Sequence, residues 1–200
     1  PLTRYIAESG NPQRIACYQL GLCHFNNGDL DKAAPLFGMC CDGNDAIAQN
    51  ALLHTGIIKL TKNDENGARL AFEQASTMEF DDKVREEAMY NYALCLHRTR
   101  YSPFAESVKV FEQFLNDYPK SEHAAKVEYY LVEVYMNTHN YDVALQSINK
   151  IKTPSSEILK AKQKILYRLG VQEFINGDMN GAISFMDKSI ELARYGQATH

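Results

Sequence analysis

The 200-residue chain has no tryptophan, only 6 prolines and 11 glycines, and no cysteine beyond Cys95. No apolar run approaches the roughly 18 residues needed to cross a bilayer. No stretch alternates apolar and polar residues for long, so the signal of a half-buried strand is missing. Basic residues do not prevail. Lys and Arg number 21 against 25 Asp and Glu, for a net charge of −4 with no basic stripe. That argues against nucleic acid, which draws clustered positive charge. Neither an initiating methionine nor a signal peptide is present. The chain opens at PLTRYIAESG and stops at ELARYGQATH, and we read it as a fragment of a longer protein. Missing targeting signals then say nothing of location, and cytoplasm and periplasm both stay open.

Catalytic signatures are equally scarce. No nucleophile motif, phosphate-binding glycine loop or HExxH is found. Cys17, Cys23, Cys40, Cys41 and Cys95 are odd in number and do not form a disulfide framework. Reduced, mostly buried thiols are expected, which tilts towards a reducing compartment. Cys23-His24 and Cys95-x-His97 lie more than 70 residues apart and lack the paired close spacings of a structural zinc site. Cys40-Cys41 reads as packing plus one more exposed thiol. The NGD turns lack the alternating oxygen ligands of a calcium loop. Acidic pairs such as Asp81-Asp82 and Glu86-Glu87 are expected at a helix start, where they favour the helix dipole. The expectation is a chain without catalytic residues, metal or cofactor.

What the chain does contain is repetition. LGLCHFNNGDLDKAA (20–34) and LGVQEFINGDMNGAI (169–183) share seven of fifteen residues at an offset of 149. Between them the pattern returns three more times. One series of mostly small residues runs Gly21, Gly56, Ala93, Val132, Gly170; a second runs Ala33, Ala68, Ser107, Ala144, Ala182. Four residues beyond each of the second series stands a large one: Phe37, Phe72, Phe111, Ile148, Met186. Spacings within each series lie between 35 and 39 residues, the range of helical repeat arrays.

Each period reads as two helices. Residues from Ala16 to Phe25 are apolar at three- and four-residue intervals, as an amphipathic helix requires. NNGD then interrupts them, with Gly28 suited to a left-handed helix end and Asp29 to capping the next helix. NGD at 176–178 is expected to do the same. DYPKSE (117–122) and KTPSSE (152–157) separate periods, each pairing a proline stop with a Ser or Thr cap. Antiparallel helices approach closely where one offers a small side chain to the other's bulky one. So short a pair buries too little alone and must stack on its neighbours.

This set of residues resembles the tetratricopeptide repeat, over about residues 14–192. The units are approximately 14–46, 47–80, 84–119, 121–153 and 155–192, with 1–10 the remnant of a preceding unit. Departures are plain. The family's frequent first aromatic is replaced by Cys17, Leu52, Met89, Glu128 and Leu166. Two extra residues fall in the third unit's turn, HRTRYSPF (97–104). Pro35 sits early in a second helix, where it removes a hydrogen bond and invites a kink. FEQFLNDYPKSEHAAKVEYYLVEVY (111–135) is also similar to repeats of bacterial cell-envelope proteins. The resemblance implies an all-α, right-handed α-α superhelix, a single solenoid over residues 1–200.

Three residues before each position of the first series lie Tyr18, Leu53, Tyr90, Tyr129 and Tyr167. One after it come Leu22, Ile57, Leu94, Glu133 and Val171; four after it come Phe25, Leu60, His97, Met136 and Phe174. Spaced i, i+4, i+7, these share a helical face. The resemblance implies that first helices line a concave groove, so that the tyrosines form a ladder of rigid rings with hydrogen-bonding tips. The expected ligand-binding residues are Tyr18, Phe25, Asn26, Tyr90, His97, Tyr129, Glu133, Asn137, Tyr167 and Phe174. Packing between neighbouring first helices is the alternative use of the same stripe. The family's chaperone-binding members hold terminal carboxylates with Lys, Arg and Asn, where this chain has Tyr, Leu and Glu. An apolar or aromatic-compatible segment of a partner protein is expected instead. An architectural spacer, or an accessory region serving flanking domains, is the rival reading.

Overall fold

The computed structural model describes residues 2–10, 12–98 and 104–198, the side chains of 104, 105 and 195–198 excepted. Every regular element among the described residues is an α-helix. They are α1 (Leu2–Glu8), α2 (Arg14–Asn26), α3 (Leu30–Gly38), α4 (Ala46–Thr61), α5 (Glu65–Thr77) and α6 (Asp82–Arg98). The remainder are α7 (Phe104–Asp117), α8 (Ala124–Asn137), α9 (Tyr141–Ile148), α10 (Ser156–Asn176) and α11 (Met179–Ala198). Two compact units result, residues 1–100 and 101–200. No helix among the described residues is long and apolar enough to cross a membrane.

Most boundaries follow from local chemistry. Gly28 and Gly177 adopt left-handed φ of 79° and 87°, a conformation that carries no Cβ penalty in glycine. Asp45, Asp64 and Asp178 each accept a bond from the backbone N–H three residues on, at 2.9, 2.9 and 3.0 Å. Ser155 does so for Ile158 at 3.3 Å. Asp29 departs from expectation. It stands at the N-cap of α3 but makes no capping bond. Its carboxylate turns instead to Lys32 Nζ at 3.3 Å and His24 Nδ1 at 3.4 Å. The Lys32 ammonium, then His24, hold its pKa below the ordinary value. Helix α3 runs through Pro35 and ends three residues later at Gly38. Of the enlarged third turn expected at 97–104, His97 and Arg98 end α6 and Phe104 starts α7, while 99–103 lie outside the described residues.

In the first unit α2 pairs with α3 and α4 with α5, while α6 packs on α5 and α4. The small-to-large register is met in atoms. A Cβ on Gly21 would lie 3.0 Å from Phe37 Cε1, and one on Gly56 2.5 Å from Phe72 Cε1. Phe37 and Phe72 are fully buried. Cys17, Ala33, Phe37 and Cys40 share a core with Ala51 and Ile58 of α4, so neighbouring hairpins pack on each other. Gln49, wholly buried, donates to the carbonyls of Ala75 (3.2 Å) and Met78 (2.7 Å) and accepts from Asp81 N–H (2.8 Å). It thereby ties α4 to the turn leading into α6. All five cysteines are free; Cys17, Cys40 and Cys95 are buried, Cys41 is half-buried and Cys23 is exposed.

In the second unit α10 pairs with α11, and a Cβ on Gly170 would lie 2.7 Å from Met186 Cγ. The fourth hairpin differs. Val132 stands where the first, second and fifth units have glycine, and the backbone of α9 lies closer to α10 and α7 than to α8, although Tyr135 of α8 hydrogen-bonds Ser147 of α9. Buried side chains bind these helices together. Tyr135 Oη donates to Glu112 Oε1 at 2.8 Å, with both residues inside the core. Burial, and then the adjacent carboxylate, push the Tyr135 pKa far up, so the hydroxyl stays a donor.

Candidate functional site

The repeated aromatic face has a different fate in each unit. In the first, Tyr18, Leu22 and Phe25 all lie against the shared core and are half-buried. The Tyr18 ring is 5.9 Å from Phe37, and Phe25 meets His54 of α4 edge-on at 4.9 Å. His54 in turn stacks on Phe37 at 4.9 Å, with Nδ1 2.8 Å from the carbonyl of Asn50. Burial lowers the His54 pKa and raises that of Tyr18. Tyr90, expected to offer a ring to a ligand, is only 6% exposed. It belongs to a stretch from Ala88 to Leu96 in which only Asn91 escapes full burial. His97 is half-buried and Asn26 exposed.

The second unit leaves its rings open. Tyr129 is 65% exposed and Tyr167 58%. An open cleft of about 820 Å³ lies beside α8 and α10. Met136, Asn137 and His139 line one side of it; Tyr167, Arg168 and Ile175 line the other, and Tyr141 of α9 also contributes. The cleft brings Asn137 and Tyr167 together. Tyr129, Glu133 and Phe174 do not line it, although all three are exposed.

Arg168 is the polar centre of the cleft. Its Nη1 donates to the carbonyl of Met136 at 3.2 Å and to Tyr141 Oη at 3.4 Å. Its guanidinium carbon lies 5.3 Å from the centre of the Tyr141 ring, within cation–π range. Among the described residues no carboxylate pairs with it. The guanidinium has five N–H donors in a planar fork, so most remain available. Sequence reasoning missed Arg168 and Tyr141. A signal was there: two residues before each position of the first series stand Gln19, His54, Asn91, Tyr130 and Arg168. None is aliphatic, and three of them, His54, Tyr130 and Arg168, reach across to an aromatic of the preceding hairpin.

Comparison with known proteins agrees with this architecture. Residues 87–121 match the family model of the tetratricopeptide repeat. No curated protein matches the chain closely. Among solved structures it is similar to YrrB, described as a TPR protein with an unusual peptide-binding site. That likeness spans 96% of this chain and 91% of the other, at 16% identity and a TM-score of 0.55. MamA from Desulfovibrio magneticus RS-1, from residue 41 to its end, aligns over 94% of this chain and 98% of its own, at 16% identity and a TM-score of 0.51. The chain thus has the fold of tetratricopeptide-repeat solenoids, and its residues 87–121 match the repeat in sequence as well.

Proposed function

We propose that the chain is a non-catalytic protein-interaction module whose second unit holds a segment of a partner protein in the cleft beside α8 and α10. The observation that carries this reading is the pairing, on adjacent residues of α10, of an exposed ring and a guanidinium without a carboxylate partner. Tyr167 and Ile175 offer apolar contact; Arg168 offers a fork for one carboxylate. Asn137 and His139 add polar partners at the rim. A segment placing an apolar or aromatic side chain near an Asp or Glu fits these groups. YrrB, of the same fold, is described as binding peptide, so the architecture accommodates such a ligand. Recognition is assigned to the second unit because the rings of Tyr18 and Tyr90 serve packing in the first.

Selection of short random peptides on the immobilised chain tests the proposal. Sequences joining an acidic residue to Leu or Phe should be enriched. Their affinity should fall about tenfold or more, some 1.4 kcal/mol, with Tyr167→Ala and again with Arg168→Ala. Because Tyr167 is well exposed, the melting temperature should move by no more than about 2 °C. Selected peptides that bind both variants as tightly as the parent would refute the assignment.

A further inference from the structure

Arg168 is held by two helices besides its own. Its Nη1 donates to the Met136 carbonyl at 3.2 Å and to Tyr141 Oη at 3.4 Å. Met136 stands in the last turn of α8, where carbonyls lack a partner within the helix and a cation meets the negative end of its dipole. Tyr141 is the first residue of α9. It grips the guanidinium twice, through its hydroxyl and through its ring, whose centre is 5.3 Å from Cζ.

The two hydrogen bonds use a single nitrogen. Nε and Nη2 make no hydrogen bond among the described residues. Neither is sealed from solvent, since the one buried side-chain nitrogen or oxygen without a partner among the described residues is Nε of Arg14. The Nε–H and one Nη2–H lie parallel along one edge of the planar group, spaced for the two oxygens of a carboxylate.

We infer that Tyr141 is a positioning residue of the cleft: by engaging Nη1 it leaves the Nε–Nη2 edge of Arg168 to receive a ligand carboxylate side-on. This role rests on the reading of the cleft as a ligand site. An unrestrained arginine loses much side-chain freedom on binding. One already held on two sides loses less, and that gain reaches only a ligand that uses the guanidinium. Tyr141 therefore sets selectivity for a carboxylate over its neutral amide, although it acts through Arg168.

The probes are acetyl-Asp-Phe-amide, which joins a carboxylate to a ring, and its neutral twin acetyl-Asn-Phe-amide. Each is titrated into the full ¹⁵N-labelled chain, and the Nε–H signal of Arg168, identified by its loss in Arg168→Lys, is followed by NMR. The acidic probe should saturate with a dissociation constant of about 1 mM or below, and the neutral one should bind about fivefold more weakly. Tyr141→Phe keeps the ring and should weaken the acidic probe about threefold; Tyr141→Leu should do so about fivefold. Neither should alter binding of the neutral probe, whereas a merely structural role would weaken both alike. The phenylalanine variant removes one oxygen from a half-buried residue, so it still serves if the leucine variant fails to fold. Tyr141 variants that keep the parent's preference for the acidic probe, or lose affinity for both probes equally, overturn the positioning role and leave the cleft standing. Absence of any saturable shift at Arg168 with either probe, up to about 20 mM, overturns the cleft and this role together.

Discussion

Glycine in mid-helix ordinarily weakens the helix, by about 1 kcal/mol relative to alanine. At the helix crossings here the missing Cβ outweighs that loss. A methyl group on Gly56 would enter the van der Waals envelope of Phe72, which is fully buried and has nowhere to move. Overpacking of this kind costs about 1–3 kcal/mol. Gly56→Ala should therefore lower stability in urea, and Phe72→Leu should be less damaging in that background than in the parent. Gly38 supplies the contrast. Nothing lies within 4 Å of where its Cβ would be, so Gly38→Ala should stabilise by up to about 1 kcal/mol. If the two substitutions shift the urea midpoint in the same direction, the close-approach account of Gly56 is wrong. The register of glycine against a large apolar residue was legible from spacing alone, because a 16-residue separation recurs at 21/37, 56/72 and 170/186. The path of the Asp29 carboxylate was not. Competition among a backbone N–H, an ammonium and an imidazole is settled by geometry that no local pattern encodes.

Between elements, a few buried polar side chains do what the regular backbone ladder leaves undone. Gln49 satisfies two carbonyls and one N–H at the turn into α6, and Tyr135 satisfies the carboxylate of Glu112. A buried carboxylate stripped of its donor retains the full cost of leaving water. Tyr135→Phe removes one oxygen and changes shape little, yet should cost about 2 kcal/mol in urea denaturation. Glu112→Gln should lose less in the Phe background than in the parent, as coupled neighbours do. Additive losses would show that the bond contributes nothing. Sequence reading placed both helices but not this bond. Glu112 stands in FEQF, where a carboxylate reads as a solvated face, and its partner lies 23 residues away.

Across the molecule, burial rather than helical propensity decides what is firmly held. Helix α1 has seven residues and buries none of them, whereas α6 buries nine of its seventeen. Amides of α1 should lose protection first in hydrogen–deuterium exchange, and those between Ala88 and Leu96 last. Equal protection at both places would contradict a stability graded by contact with neighbours. The same grading explains why the tyrosine stripe was only half legible. Its spacing predicts a common face, but whether that face meets solvent depends on helices far away in sequence. Tyr90 is enclosed while Tyr167 is open, and nothing within a few residues of either distinguishes them.

Val132 has a wider bearing. Where glycine stands, a hairpin is closed by its own two helices; where valine stands, α9 rests on the helices before and after its own pair. There α9 keeps its sibling through a side-chain bond, Tyr135 to Ser147, and leans its backbone on its relatives. Drift at such a position leaves the repeat harder to recognise without releasing its helices, so family likeness can fade along a chain faster than the architecture does.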